Sequence, residues 1–305
     1  LSSFRFEGLL GLGIGVMVVL GSVNANSSRN VGFAWLKVPV GTGVGGMAGT
    51  GTAVADGASG IVYNPAASAR ITQFSIQVDY TRWFLDMKQQ SVFVTRDLKL
   101  LSVGVGVVSF SSGKLEYREN RPTEEAIGTF SPFDITGYLN LSRTLGDQVD
   151  VGVNARFYYS KIFSYQTSGW GADIGLRFWG VKNLTVGATV VDFCRALSYK
   201  YEQFWLPTRG KIGVAYRLTP GRSLLTFAVD GIYFFYNKEL SVSTGVEWRF
   251  TELFSLRAGY APFNGANKLS LGAGIHRGLF RVDYAYLPLN FNLGAAHRFG
   301  ISFGY

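Results

Sequence analysis

From about residue 74 to the end of the chain, apolar residues alternate with polar or small ones at a period of two. The last segment shows it most plainly: Phe299, Ile301, Phe303 and Tyr305 alternate with Gly300, Ser302 and Gly304. Leu240, Val242, Thr244, Val246, Trp248 and Phe250 alternate likewise with Ser241, Ser243, Gly245, Glu247 and Arg249. So do Val149, Val151, Val153, Ala155, Phe157 and Tyr159 with Asp150, Gly152, Asn154, Arg156 and Tyr158. A helical period would mix the two classes, whereas a strand sends them to opposite sides. The pattern predicts fourteen strands, near 74–83, 89–96, 99–110, 132–143, 148–161, 167–180, 182–193, 208–218, 223–234, 239–250, 253–262, 267–277, 279–287 and 294–305. Most reach the roughly nine to eleven residues that a tilted strand needs to cross a bilayer.

The connections sort by length. Starting from the second strand, every other junction is short: Asp97-Leu98, Leu145-Gly146-Asp147, Val181, Pro220-Gly221, Thr251-Glu252 and Gly278. Those between are mostly longer, near 84–88, 111–131, 194–207, 235–238, 262–266 and 288–292. Outer-membrane barrels have short periplasmic turns and longer outside loops; a soluble sandwich has no reason to sort its loops this way. The expected fold is all-β, a transmembrane antiparallel β-barrel of about 14 strands in the outer membrane of a Gram-negative (diderm) bacterium. Aromatics gather near strand ends at Trp83, Phe84, Phe178, Trp179, Tyr233 to Tyr236, Trp248, Phe250, Tyr284 and Tyr286. An interfacial girdle would put them there, and so would ordinary β-propensity.

Composition narrows this further. Residues are 47% hydrophobic but only 16% charged, with 39 glycines, yet after residue 25 no apolar run is long enough for a membrane-spanning helix. At the N-terminus, Arg5, the apolar stretch 8–20 and Val23-Asn24-Ala25 read as a signal peptide over 1–25, with an uncleaved anchor as the alternative. The single cysteine, Cys194, excludes an internal disulfide. The net charge of +9 comes from scattered Lys and Arg without a basic run or a nucleic-acid-binding motif. Outer-membrane lipid or an anionic solute is the partner that this pattern suits, not nucleic acid.

Residues 26–72 differ from the barrel, 73–305. Gly, Ala, Val and Thr dominate from Gly41 to Ser59, followed by Asn64-Pro65-Ala66-Ala67. Gly41 to Gly46 formally fits a dinucleotide fingerprint, but no βαβ unit follows. A compact small-residue segment ahead of a barrel reads as a hatch or plug, because Gly and Ala let backbone approach the wall closely.

Several stretches resemble a known family. Gly32-Phe33-Ala34-Trp35-Leu36-Lys37-Val38-Pro39-Val40-Gly41 resembles the opening motif of PorV/PorQ-type proteins. It continues with 46–51, Ala53-Val54-Ala55-Asp56 and Tyr63-Asn64-Pro65-Ala66. Fragments at 173–176, 206–207, 245–247, 256–260 and 283–285 are similar too. The resemblance implies kinship with FadL-like transporters, a fourteen-stranded barrel with an N-terminal hatch, and a hatch motif at Asp56, Asn64, Pro65 and Ala66. It further implies an accessory or docking role in type IX-like protein secretion, with secretion-system proteins as partners. The modest outside loops and complete small-residue segment favour the alternative, transport of hydrophobic or amphiphilic small molecules, with a hydrophobic ligand as partner.

No catalytic constellation accompanies these features, and no enzyme activity, metal or cofactor is expected: His276 and His297 lack carboxylates at zinc-ligand spacing, and no nucleophile elbow occurs. Glu247, Arg249, Arg257, His276, Arg281 and Asp283 share the inward parity on four consecutive predicted strands and form a candidate lumen patch. It suits either a bracing salt-bridge network or an anionic-solute site. Tyr199, Tyr201, Phe204 and Trp205 in the loop 194–207 are candidates for outside contact with a ligand or partner, or for folding over the barrel mouth.

Overall fold

The computed structural model describes residues 30–118, 125–195, 197–199, 202–262 and 268–304. The signal-peptide reading of 1–25, Tyr201 and the terminal Tyr305 lie outside the described residues. The period-two segments form β1 (Phe74–Arg82), β2 (Lys88–Asp97), β3 (Ser102–Ser111), β6 (Phe133–Leu145), β7 (Val149–Ile162), β8 (Tyr165–Val181) and β9 (Leu184–Cys194). They continue with β12 (Arg209–Leu218), β13 (Leu224–Phe234), β14 (Glu239–Arg249), β15 (Phe254–Tyr260), β16 (Leu269–Arg277), β17 (Phe280–Pro288) and β18 (Ala295–Gly304). Each of the fourteen predicted strands has one of these as its counterpart. Every neighbour pairs antiparallel, and β1 pairs with β18 from Ser75↔Gly304 to Arg82↔His297, closing the barrel. The longer loops contain two hairpins that alternation did not reveal, β4 (Leu115–Tyr117) with β5 (Gly128–Phe130), and β10 (Leu197–Tyr199) with β11 (Glu202–Phe204).

Closure leaves no strand edge, so the wall satisfies its own backbone hydrogen bonds at membrane depth. Its outward side is a belt of exposed apolar residues, among them Val78, Val105, Leu139, Ile174, Ile212, Val229, Leu256 and Ile301. In water such a surface would be a large penalty, and against lipid it is the solvated state. Among the described residues no helix is long and apolar enough to cross a membrane; strands provide the crossing. Three aromatics depart from the expected girdle: Trp179 turns inward, its Nε1 donating to Asp150 at 2.6 Å, Phe234 faces the inserted segment under Lys37, and Trp83 packs on the interior clusters.

The opposite face of each strand is polar yet buried, because the segment ahead of β1 runs through the lumen. It holds short 3-10 turns at Ala34–Lys37, Ala58–Val62 and Pro65–Ser68 and one α-turn, α1 (Thr42–Gly45). Inward wall glycines admit it. A Cβ at Gly259 would lie 2.2 Å from the Met47 carbonyl carbon, and one at Gly152 would lie 2.3 Å from the Pro65 oxygen. Both clashes are with backbone, which cannot rotate away. Gly137, on the lipid side, has nothing nearer than 3.9 Å. Gly259→Ala should therefore destabilise the folded barrel by roughly 1–3 kcal/mol, and Gly137→Ala should leave it within about 0.5 kcal/mol of the parent. Heat-modified gel mobility against temperature checks this; equal behaviour of the two variants would contradict the close approach.

Candidate functional site

The lumenal segment has irregular backbone, and the wall answers it group by group. Asp230 of β13 accepts from Gly51 N and Thr52 N at 2.9 Å and from Thr52 Oγ1 at 2.7 Å. Asp79 of β1 accepts from Thr42 N at 2.7 Å, so the glycine-rich stretch that formally fits a nucleotide motif meets a carboxylate. Carbonyls are met by donors: Arg177 reaches Ala55 O at 2.6 Å, Arg209 reaches Leu36 O and Arg298 reaches Pro39 O, both at 2.7 Å. Asn140 and Asn154 donate to Pro65 O and Ile61 O, each at 2.9 Å.

The four residues singled out in this segment are all at such contacts. Asn64 caps the turn that follows it, Oδ1 accepting from Ala66 N at 3.0 Å. Its Nδ2 donates to Thr52 O and, across to β8, Leu176 O, each at 3.0 Å. Pro65 sets the first turn position and Ala66 is buried against the wall. Asp56 lies 3.4 Å from Arg281.

The lumen patch is brought together. Glu247 pairs with Arg257 at 2.7 Å, Arg257 with Asp283 at 2.7 Å, and Arg281 with Asp283 at 3.0 Å. Arg249 stands 4.0 Å from Glu247, and His276 Nε2 is 3.0 Å from Ser255 Oγ. Through Arg281 this network reaches Asp56 on the inserted segment. Enclosure alone would raise the Asp56 carboxyl, but Arg281, Arg249, Arg257 and Arg217 outweigh it and hold the carboxyl below its ordinary 3.8.

A second ionic network, on β7–β9 and β12, escaped the sequence reading. Arg156 is buried between Asp173 and Asp192, and Arg209 meets Asp192 at 3.2 Å. The Arg156 guanidinium also lies over the Tyr138 and Tyr158 rings at 4.4 and 5.1 Å. Parity marks Arg156 as inward, but Asp192 follows the buried Val191 because β9 bulges there, with Asp192 at φ 59°. Strict alternation points Asp192 at lipid.

Above this network the aromatic loop residues fold inward. Phe204 stacks on Phe33 at 5.7 Å and on Tyr199 at 5.2 Å, while Trp205 packs on Tyr236 at 4.9 Å. Trp205 N donates to Asn30 O and its carbonyl accepts from Gly32 N, tying the hairpin to the start of the segment. Below it, between the segment and β12–β14, lies a cavity of about 450 Å³. Leu36, Val38, Val62, Ile232 and Phe234 supply apolar surface, and Lys37, Arg209, Lys211 and Glu239 supply charge. Among the described residues no three His, Cys, Asp or Glu side chains are grouped to hold a metal.

Two outcomes follow. Asp230→Ala leaves two buried backbone N–H groups without an acceptor, at about 1–3 kcal/mol each. Amide exchange at Gly51 and Thr52 should then accelerate at least tenfold, about what 1.4 kcal/mol of local stability is worth, and unchanged protection would refute the role. For Asp56 the held form is the charged one, so its contribution is complete above the ordinary carboxylate value and is lost only as pH falls through the depressed one. A labelled Asp56 carboxyl should titrate below 3.8; titration at or above that value would remove the four-arginine field.

No protein-family model matches the sequence, and no curated protein matches it. Among solved structures the chain is similar to the Pseudomonas putida toluene transporter TodX, with a TM-score of 0.62 and 12% identity over 91% of this chain and 98% of that one. The CymD monoaromatic hydrocarbon channel gives 0.58 and 11% over 88% and 98%. A Pseudomonas aeruginosa FadL homologue gives 0.57 and 12% over 90% and 99%. At such identity the likeness is one of fold: a closed fourteen-strand antiparallel barrel like those of FadL-type outer-membrane proteins.

Proposed function

We propose that the protein is an outer-membrane barrel that passes apolar or amphiphilic small molecules, with the described segment ahead of β1, residues 30–72, as the hatch that fills its lumen. The observation that carries this reading is the cavity of about 450 Å³ between the inserted segment and β12–β14. Its size falls within the range of small-molecule sites, and its lining pairs an apolar wall with a few charged groups. Such a lining suits a hydrophobic body with one polar end. The similar folds of a toluene transporter and a monoaromatic hydrocarbon channel point the same way. No catalytic role is assigned to any side chain.

The docking reading rests on the PorV/PorQ-like opening motif. Trp35 of that motif and Met47, Asn64 and Ala66 of the stretches that continue it are buried within the barrel, so lumenal packing accounts for them without an external partner. In cells lacking other barrels of this type, expression should raise uptake of toluene or a long-chain carboxylate. Ser241→Trp, which projects a large side chain into the cavity lining, should cut that uptake severalfold with unchanged folded mobility. Uptake no greater than in cells without the protein, together with stoichiometric co-purification of a secretion component, would replace transport with docking.

A further inference from the structure

The end of the lumen beside the short turns holds two adjoining cavities of about 120 and 170 Å³. Both are lined by Val54, Asp56, Arg217 and Arg281. Arg249 and Arg257 border the first, and Arg70 and Arg177 the second. Guanidinium groups thus outnumber the carboxylates of Asp56, Glu247 and Asp150 around this space.

Several of these cations are incompletely matched. Glu247 is engaged by Arg257 at 2.7 Å, which leaves Arg249 at 4.0 Å with a buried Nε that has no acceptor among the described residues. Arg217 has no carboxylate partner among the described residues; it donates to Thr185 Oγ1 at 3.0 Å and lies 5.3 Å over the Trp179 ring. Arg281 shares itself between Asp283 and Asp56. The Asp56 side chain remains 70% exposed to the lumenal space despite this surrounding. A carboxylate standing among forked donors, in water and only loosely bonded, occupies the position that a free anion would take.

We infer that this vestibule is a binding site for a small free anion, a carboxylate or a phosphate, held between Arg217, Arg249 and Arg281, and that Asp56 is its resident competitor. The site stands apart from the larger cavity near β12–β14, and it does not depend on the transport reading. Its cavities suit a single ionic group and are too small for a lipid.

Trp179 lines the second cavity, within 5.1 Å of Arg70 and 5.3 Å of Arg217, and serves as an internal reporter. The purified full chain in detergent is titrated with sodium phosphate, and separately with sodium acetate, at constant ionic strength. A saturable fluorescence change is expected that disappears in Trp179→Phe. Asp56→Asn removes the competing charge and should tighten phosphate binding on the order of tenfold, while Arg217→Gln and Arg249→Gln should weaken it by a similar factor. Tightening in Asp56→Asn cannot arise from misfolding, which keeps the test decisive if an arginine variant fails to fold. Absence of a saturable change, or an Asp56→Asn affinity no higher than the parent's, overturns the proposal. Phosphatidylglycerol vesicles should leave the signal unmoved; a response to them would overturn the assignment to a free anion.

Discussion

Hydrocarbon offers no hydrogen-bond partner, so every N–H and C=O carried to membrane depth must be answered by the protein itself. The wall meets this condition by closing β1 onto β18. The inserted segment, whose described residues belong to no sheet and form no helix longer than a turn or so, meets it by borrowing. Asp79 and Asp230 accept from its amides, while Asn140, Asn154, Arg177, Arg209 and Arg298 donate to its carbonyls. The inward polarity of the strands is therefore the complement of one particular backbone as well as the wet side of a pore. It also explains why so many inward polar residues are buried.

Two kinds of interaction hold the segment, and they divide along the barrel. Near the long loops, Phe33 and Trp35 pack among Tyr158, Phe204 and Phe110. Near the short turns, Asp56 faces a field of guanidinium groups. Apolar contacts gain their strength from exclusion of water and are open to competition by apolar solutes. Ion pairs facing an aqueous space are open to competition by salt and anions. The buried Arg156–Asp173–Asp192–Arg209 chain lies between these regimes. Removing one member of such a chain leaves its partners charged and unpaired, so its value is felt mainly on disruption.

The strands were legible because a period of two leaves one trace in sequence, and because lipid outside and polar groups inside sharpen the contrast. Glu247, Arg257 and Asp283 were legible as a patch for the same reason: equal parity on neighbouring strands puts them within reach. Asp192 was not, because a single extra residue at the β9 bulge inverts parity for the rest of the strand. The partners of Thr52 and Asn64 were not either. Thr52 and Asp230 are 178 residues apart, and nothing in a single sequence pairs an amide with one inward aspartate rather than another. Trp179 shows the limit for aromatics, since a strand-end tryptophan serves a girdle or an interior cation stack equally well.

The hairpin β10–β11 bears on the choice between a docking barrel and a conduit. A loop with Tyr199, Phe204 and Trp205 in sequence looks like an anchor for a partner, since exposed aromatics are what interfaces use. Here Phe204 is only 8% exposed, stacked between Phe33 and Tyr199, and Leu197 is equally buried. The apolar surface of Phe204 and Leu197 is thus turned to the interior and not offered to a partner. A partner would have to displace the mouth of the barrel to reach it, at the cost of exposing Phe33 and the cluster beneath.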